Sequence, residues 1–172
     1  MEQSPGPIFL DFSEKKLRQL TGRISDCLGR LTPDQVWMRG HENENAIGNL
    51  VLHLCGNVRQ WIIAGVGGKP DIRERDREFA ARGDIEPDEL ADRLKGTVEE
   101  AATVIAGAGP RLMQRVSIQK YDITILEAIA HVLEHFAQHT GQIIFATKML
   151  TGQDLGYYKH LKTTAAHGEK TP

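Results

Sequence analysis

The sequence predicts an all-α protein, a four-helix bundle with a long charged connection between its second and third helices. Three observations carry this reading. Apolar residues recur at helical spacing through four long segments. Clusters of Gly and Pro separate those segments. No stretch shows a clear strand pattern. The connections are long enough to allow a topology other than simple up-down-up-down.

Leu10, Leu17, Ile24 and Leu31 recur every seven residues, and Leu20 and Leu28 fill the same face. That predicts an amphipathic helix of about six turns. Thr32-Pro33-Asp34 ends it, and a short turn carries Gln35 to Trp37. After the polar loop RGHENEN, a second helix is expected from about Asn45 to Ala64. Its Ile47, Leu50, Val51, Leu54, Val58, Trp61 and Ile62 share one side, with Leu52 and Ile63 opposite. A helix apolar on two sides is buried on two sides or lies at an oligomer interface. Gly65 to Pro70 stop it.

Residues 71–86, DIRERDREFAARGDIE, read as a solvated surface crossover with at most a helical turn. A third helix is expected from about Pro87 to Ala106. Pro87 suits its first turn, and Leu90, Leu94, Val98, Ala101 and Ile105 mark its buried face. Residues 111–123 are less regular, and Val116, Ile118 and Tyr121 fit extended backbone. Thr124 and Glu127 form a capping box that opens the fourth helix. That helix runs to about Leu150, with Gly152 just past its end. One domain is expected over 1–161, with 162–172 a disordered tail.

With 172 residues, 40% of them apolar, the chain can bury a sizeable core. A formal net charge of -2 argues against a nucleic-acid partner. No apolar run reaches the roughly 18 residues that span a bilayer, so no membrane association is expected. The start, MEQSPGPIFLDF, lacks the basic and apolar regions of a secretion signal. Cys27 and Cys55 lack C-x-x-C spacing and read as buried free thiols of a cytoplasmic protein.

The chemistry concentrates in HVLEHFAQHTGQI, residues 131–143, where His131, His135 and His139 sit four apart. With about 100° per residue and Ile129 at zero, His139 falls near 280°, His135 near 240° and His131 near 200°. The first two border the apolar stripe, and His131 lies among Glu127, Glu134, Gln138 and Lys148 on the polar face. Each step of four drifts by about 40°, so only adjacent pairs can share an ion. Two imidazoles at i and i+4 converge above a helix face, as metal ligands do. His53 is the candidate third ligand, since it lies with Asn49, Asn57 and Gln60 in a polar streak of the apolar second helix. A core histidine hydrogen-bonded across the bundle explains the same streak. Three imidazoles suit zinc, nickel or iron.

Several motifs together resemble the DinB/YfiT-like superfamily of metal-binding four-helix bundles. They are LTPDQVW (31–37), NAIGNLVLH (45–53) and HVLEHFAQHTGQI (131–143). GGKPDIRERDREFAARG (67–83) and TKMLTGQDLGYYKH (147–160) are similar to one branch of uncharacterised bacterial proteins within it. The likeness runs from about Phe9 to His160. It implies an up-down-down-up bundle, often a homodimer, with nickel or zinc held by His53, His135 and His139. It gives His131 no ligand role. Characterised relatives include mycothiol-dependent maleylpyruvate isomerase and bacillithiol transferases, which implies a low-molecular-weight thiol cosubstrate.

The expected function is therefore a divalent-metal-dependent enzyme acting on a small molecule, by thiol transfer or hydrolysis. Asn49, Asn57 and Gln142 are candidate groups around the ligands or substrate. Glu134 points about 100° from His135 and makes a poor base. The alternatives are a non-catalytic dimeric bundle with a structural or absent metal, and a small-ligand-binding protein.

Overall fold

The computed structural model describes residues 4–83 and 85–159, so the expected tail over 162–172 lies outside the described residues. The fold is mainly helical. Its long helices are α1 (Pro5–Leu28), α3 (Ile47–Val58), α5 (Pro87–Ala106) and α6 (Ile125–Thr151). Short helices α2 (Pro33–Trp37) and α4 (Arg75–Ala80) lie in the connections. α1 packs on α5 and α6, and α3 packs on the same two. No helix among the described residues is long and apolar enough to cross a membrane.

Side-chain contacts fix how the helices run past one another. Along α1, Gly6 lies against Leu112 and Leu10 beside Gly109, while Arg18 pairs with Glu99. At its other end, Asp26 accepts from the Tyr157 hydroxyl and Arg30 donates to Gln153. Along α3 and its extension, Arg59 pairs with Glu100, and Trp61 lies over His131.

The heptad of α1 buries Leu10, Leu17, Leu20, Ile24 and Leu28 as the periodicity requires. α5 keeps its expected bounds and buried face. α6 opens on the Thr124 capping box and closes on Gly152, whose φ of 67° suits a residue without a side chain.

Three features depart from the sequence expectation. First, the helix begun by α3 continues over Arg59–Val66 as a π-helix. The wider turn absorbs an extra residue, and Ile118 packs where a side chain on Gly65 would stand. Second, Val116, Ile118 and Tyr121 are extended as expected, but their segments, Arg115–Ile118 (β1) and Tyr121–Thr124 (β2), also pair as an antiparallel hairpin, with Gln119 in its turn at φ 55°. The fold is therefore mainly rather than wholly α. Strands of four residues are too short to print a period in the sequence.

Third, the charged crossover is not a solvated strap. The side chains of Arg73 and Glu78 within it are only 4% and 10% exposed. They can be buried because they pair with each other. The crossover also lines the groove beside Leu52 and Ile63, through Ile72 and Ile85. The second apolar side of α3 is thus covered from within the chain.

Replacing Thr124 with Ala removes the acceptor of the Glu127 N–H. We expect a loss of about 1 kcal/mol, read as a fall of about 2–4 °C in thermal midpoint for a chain of this size.

Candidate metal centre

α3 supplies His53 and α6 supplies His135 and His139, one helical turn apart. Each offers a ring nitrogen, and those atoms all lie within 4.8 Å of one another. His53 Nε2 stands 2.9 Å from His135 Nε2. The His139 ring is edge-on to both, at 5.2 Å from His53 and 4.4 Å from His135 between centroids.

The opposite edges of two rings are held. Glu78 Oε2 lies 3.1 Å from His53 Nδ1. Arg73 grips the same carboxylate with two parallel hydrogen bonds of 2.8 Å. Its Nη2 also lies 3.0 Å from His53 Nδ1, so that nitrogen has a donor and an acceptor within reach. When Nδ1–H donates to Glu78, the Nε2 lone pair faces the other two histidines. His139 Nδ1 donates to Gln142 Oε1 at 2.6 Å. Such outer partners orient ligating imidazoles.

Electrostatics favours neutral rings and a charged carboxylate. Burial, then the charges of His139 and His53, push His135 down to about 4. Burial also lowers His139, against the opposing Gln142 hydrogen bond. Burial alone would raise the Glu78 carboxyl. Hydrogen bonds from Arg73 and His53 outweigh it and hold Glu78 below its ordinary value. A metal requires deprotonated donors, and the lowered values of His135 and His139 favour that form.

The candidates around the trio fall in different places. Gln142 touches His139. Asn57, 4% exposed, lines the cleft beside His53 and His135. Asn49 does not face that cleft. Its Nδ2 donates to the backbone carbonyls of Glu78 and Ala81, and its Oδ1 accepts from Ala46 N and Arg39. Asn49 therefore fixes the segment that carries Glu78. His131 is outside the cluster of converging nitrogens; its ring lies between Trp61, centroid to centroid 4.0 Å, and His135, stacked at 5.8 Å. His41 is exposed, while His160 and His167 lie outside the described residues.

Sequence reasoning missed Glu78, Arg73 and the aromatic wall of Trp61. One local signal was available: Gly56, one turn after His53, where a side chain would collide with the Glu78 carboxylate. The cleft lined by His53 and His135 has a volume of about 690 Å³. A larger groove of about 860 Å³ lies beyond Glu78, between α3 and α5, without converging imidazoles.

The family model for a protein of unknown function, DUF1572, matches residues 5–163. The chain belongs to the DUF1572 family. A crystal structure of the conserved protein of locus from Enterococcus faecalis superimposes with a TM-score of 0.68 at 15% identity, over 83% of this chain and 97% of that one. At that identity the DUF1572 protein shares a fold with it and nothing more is implied. No curated protein matches the chain.

Glu78→Gln keeps the shape but weakens the acceptor for His53, and we expect divalent-metal affinity to fall by about 10- to 100-fold in competition titrations. Gly56→Ala should do the same by displacing the carboxylate.

Acid should destabilise the metal-free protein. Between pH 6.5 and about 4 the folded chain holds fewer protons on His135 than the unfolded chain, so stability rises with pH across that window. The depressed Glu78 contributes stability that is lost as pH falls through its folded value. Both act in one direction. Thermal midpoints should drop from pH 6.5 toward 4, with a shallower slope in His135→Gln. An unchanged slope in that variant would remove His135 as the source.

Proposed function

We propose that this protein is a divalent-metal-dependent enzyme of the DinB-like four-helix-bundle kind, acting on a small molecule by thiol transfer or hydrolysis. The observation that carries the proposal is the convergence of three imidazoles from two helices, two of which, His53 and His135, line a cleft. A structural site is closed by a fourth protein ligand, whereas a catalytic one keeps a position open. Among the described residues the cluster contains only His53, His135 and His139.

The residues fit such an ion. Metal–nitrogen bonds of about 2.1 Å in a tetrahedron need donors roughly 3.4 Å apart, and the donors here span 2.9 Å for one pair and up to 4.8 Å overall. Imidazole sets of this kind suit nickel and zinc. The contacts along α1 and α3 support an up-down-down-up arrangement: α1 antiparallel to α5 and parallel to α6, with α3 antiparallel to α6. Phe145 and Met149, 67% and 72% exposed on the outer face of α6, support a homodimer.

When bound, a divalent ion supplies Lewis acidity that lowers the pKa of a coordinated thiol or water toward neutrality. The chain supplies the rest. Glu78 holds the Nδ1 proton of His53, with Arg73 fixing the carboxylate. Gln142 does the same for His139. Trp61 and His131 wall the cleft on one side and limit water there.

His53→Ala, His135→Ala and His139→Ala should each abolish stoichiometric nickel or zinc uptake, measured by elemental analysis after dialysis. His131→Ala should bind nearly as much metal as the parent. Full uptake by all three ligand variants, or its loss in His131→Ala alone, defeats the assignment. Metal-dependent turnover in a panel of thiols and electrophiles distinguishes an enzyme from a binding protein.

A further inference from the structure

The cleft beside the trio carries recognition groups that the ligand set does not use. Trp61, only 4% exposed, lies at its side, with Tyr121 6.0 Å away between ring centroids. Asn57 is equally buried, and its Oδ1 has no hydrogen-bond partner among the described residues. A buried acceptor without a donor is uncommon and needs an explanation. At the mouth, the Arg75 guanidinium stands over Phe79 at 5.0 Å, and Phe79 packs on the His53 ring at 4.9 Å.

The wall carries Arg73, Arg75 and Glu127, and of these only Arg75 has neither an ion pair nor a hydrogen bond among the described residues. Arg73 is neutralised by Glu78. Glu127 is turned to Thr124, accepting from both its N–H and its hydroxyl. Arg75 makes no ion pair among the described residues, and its cation–π contact leaves its N–H groups free to donate. A divalent ion on three neutral imidazoles would add to the same sign.

Building on the metal reading, we propose that the cleft binds a flat ring-bearing anion. Its ring lies along Trp61 and Tyr121, its anionic group meets Arg75, and a hydrogen-bond donor on the ring reaches Asn57 Oδ1. The volume of about 690 Å³ accommodates a small molecule of this kind. Aromatic faces favour planar partners through stacking. An unpaired guanidinium selects carboxylate over neutral groups. The orphan acceptor selects a ring that donates.

Four probes separate these terms: 4-hydroxybenzoate, benzoate, phenol and the saturated 4-hydroxycyclohexanecarboxylate. Each is titrated by NMR into full-length protein, metal-loaded and metal-free. We expect 4-hydroxybenzoate to bind most tightly, by about tenfold over each analogue, the ratio given by one charged hydrogen bond or one good ring contact. Arg75→Ala should erase the advantage over phenol. Asn57→Leu should erase the advantage over benzoate while leaving benzoate itself bound. Neither variant should change metal uptake. Equal binding of phenol, of benzoate or of the saturated ring by the parent overturns the proposal, as does no binding of any probe. The order of affinities is expected in metal-free protein too. A protein that ranks the probes so but takes up no metal defeats the metal reading and leaves this one standing. Metal uptake without ranking does the reverse.

Discussion

The buried cluster of Arg73, Glu78 and His53 is the constraint on which the site depends. The Glu78 carboxylate sits out of water, and removing an ion from water costs several kcal/mol unless it is well paired. The parallel grip of Arg73 and the His53 ring provide that pairing. Losing either partner leaves a charge stranded. The crossover is therefore held to α3 by its most polar residues. Gly56 makes the approach possible, and Asn49 and Arg39 donate to the backbone carbonyls of Glu78 and Phe79.

Much of this was legible in the sequence. The bounds of α5 and the caps of α6 follow from local chemistry at Pro87, Thr124, Glu127 and Gly152, and local chemistry is what a sequence displays. The angular position of His135, His139 and His131 depends only on helix geometry, and the structure brings the first two against His53 and leaves the third one step along, between Trp61 and His135. Non-local pairing was invisible. Arg73 and Glu78 look solvated because a charge is normally solvated, and the partner that changes this is 25 residues upstream of Glu78. The π-helical segment RQWIIAGV carries an apolar pattern that any helix could use. It packs against Ile118 of the hairpin at Gly65, a neighbour far away in sequence.

The placement of Asn49 shows a different limit. It belongs to the polar streak with His53 and Asn57, and periodicity cannot separate the three. Asn49 is at the start of α3, where four backbone N–H groups lack helical partners. One of its hydrogen bonds meets that need, through Ala46 N. The others brace the crossover. Asn57, two turns on, has neither a helix end nor a loop carbonyl to satisfy it, and it faces the cleft. The same residue type thus becomes scaffold or candidate ligand contact according to what unsatisfied backbone is near.

One geometric fact ties the wall to the trio. A helix advances 3.6 residues per turn, so histidines spaced by four precess about 40° at each step. His139 and His135 can both face His53, but the drift carries His131 past the point of convergence. It lands on Trp61, whose position depends on the π-helical turn. His131 is lowered by burial there and presents an aromatic surface between Trp61 and His135. The single repeat that supplies two donors therefore also supplies the edge of the cleft beside them. A spacing of three at either step would reverse the drift and move that edge away from Trp61.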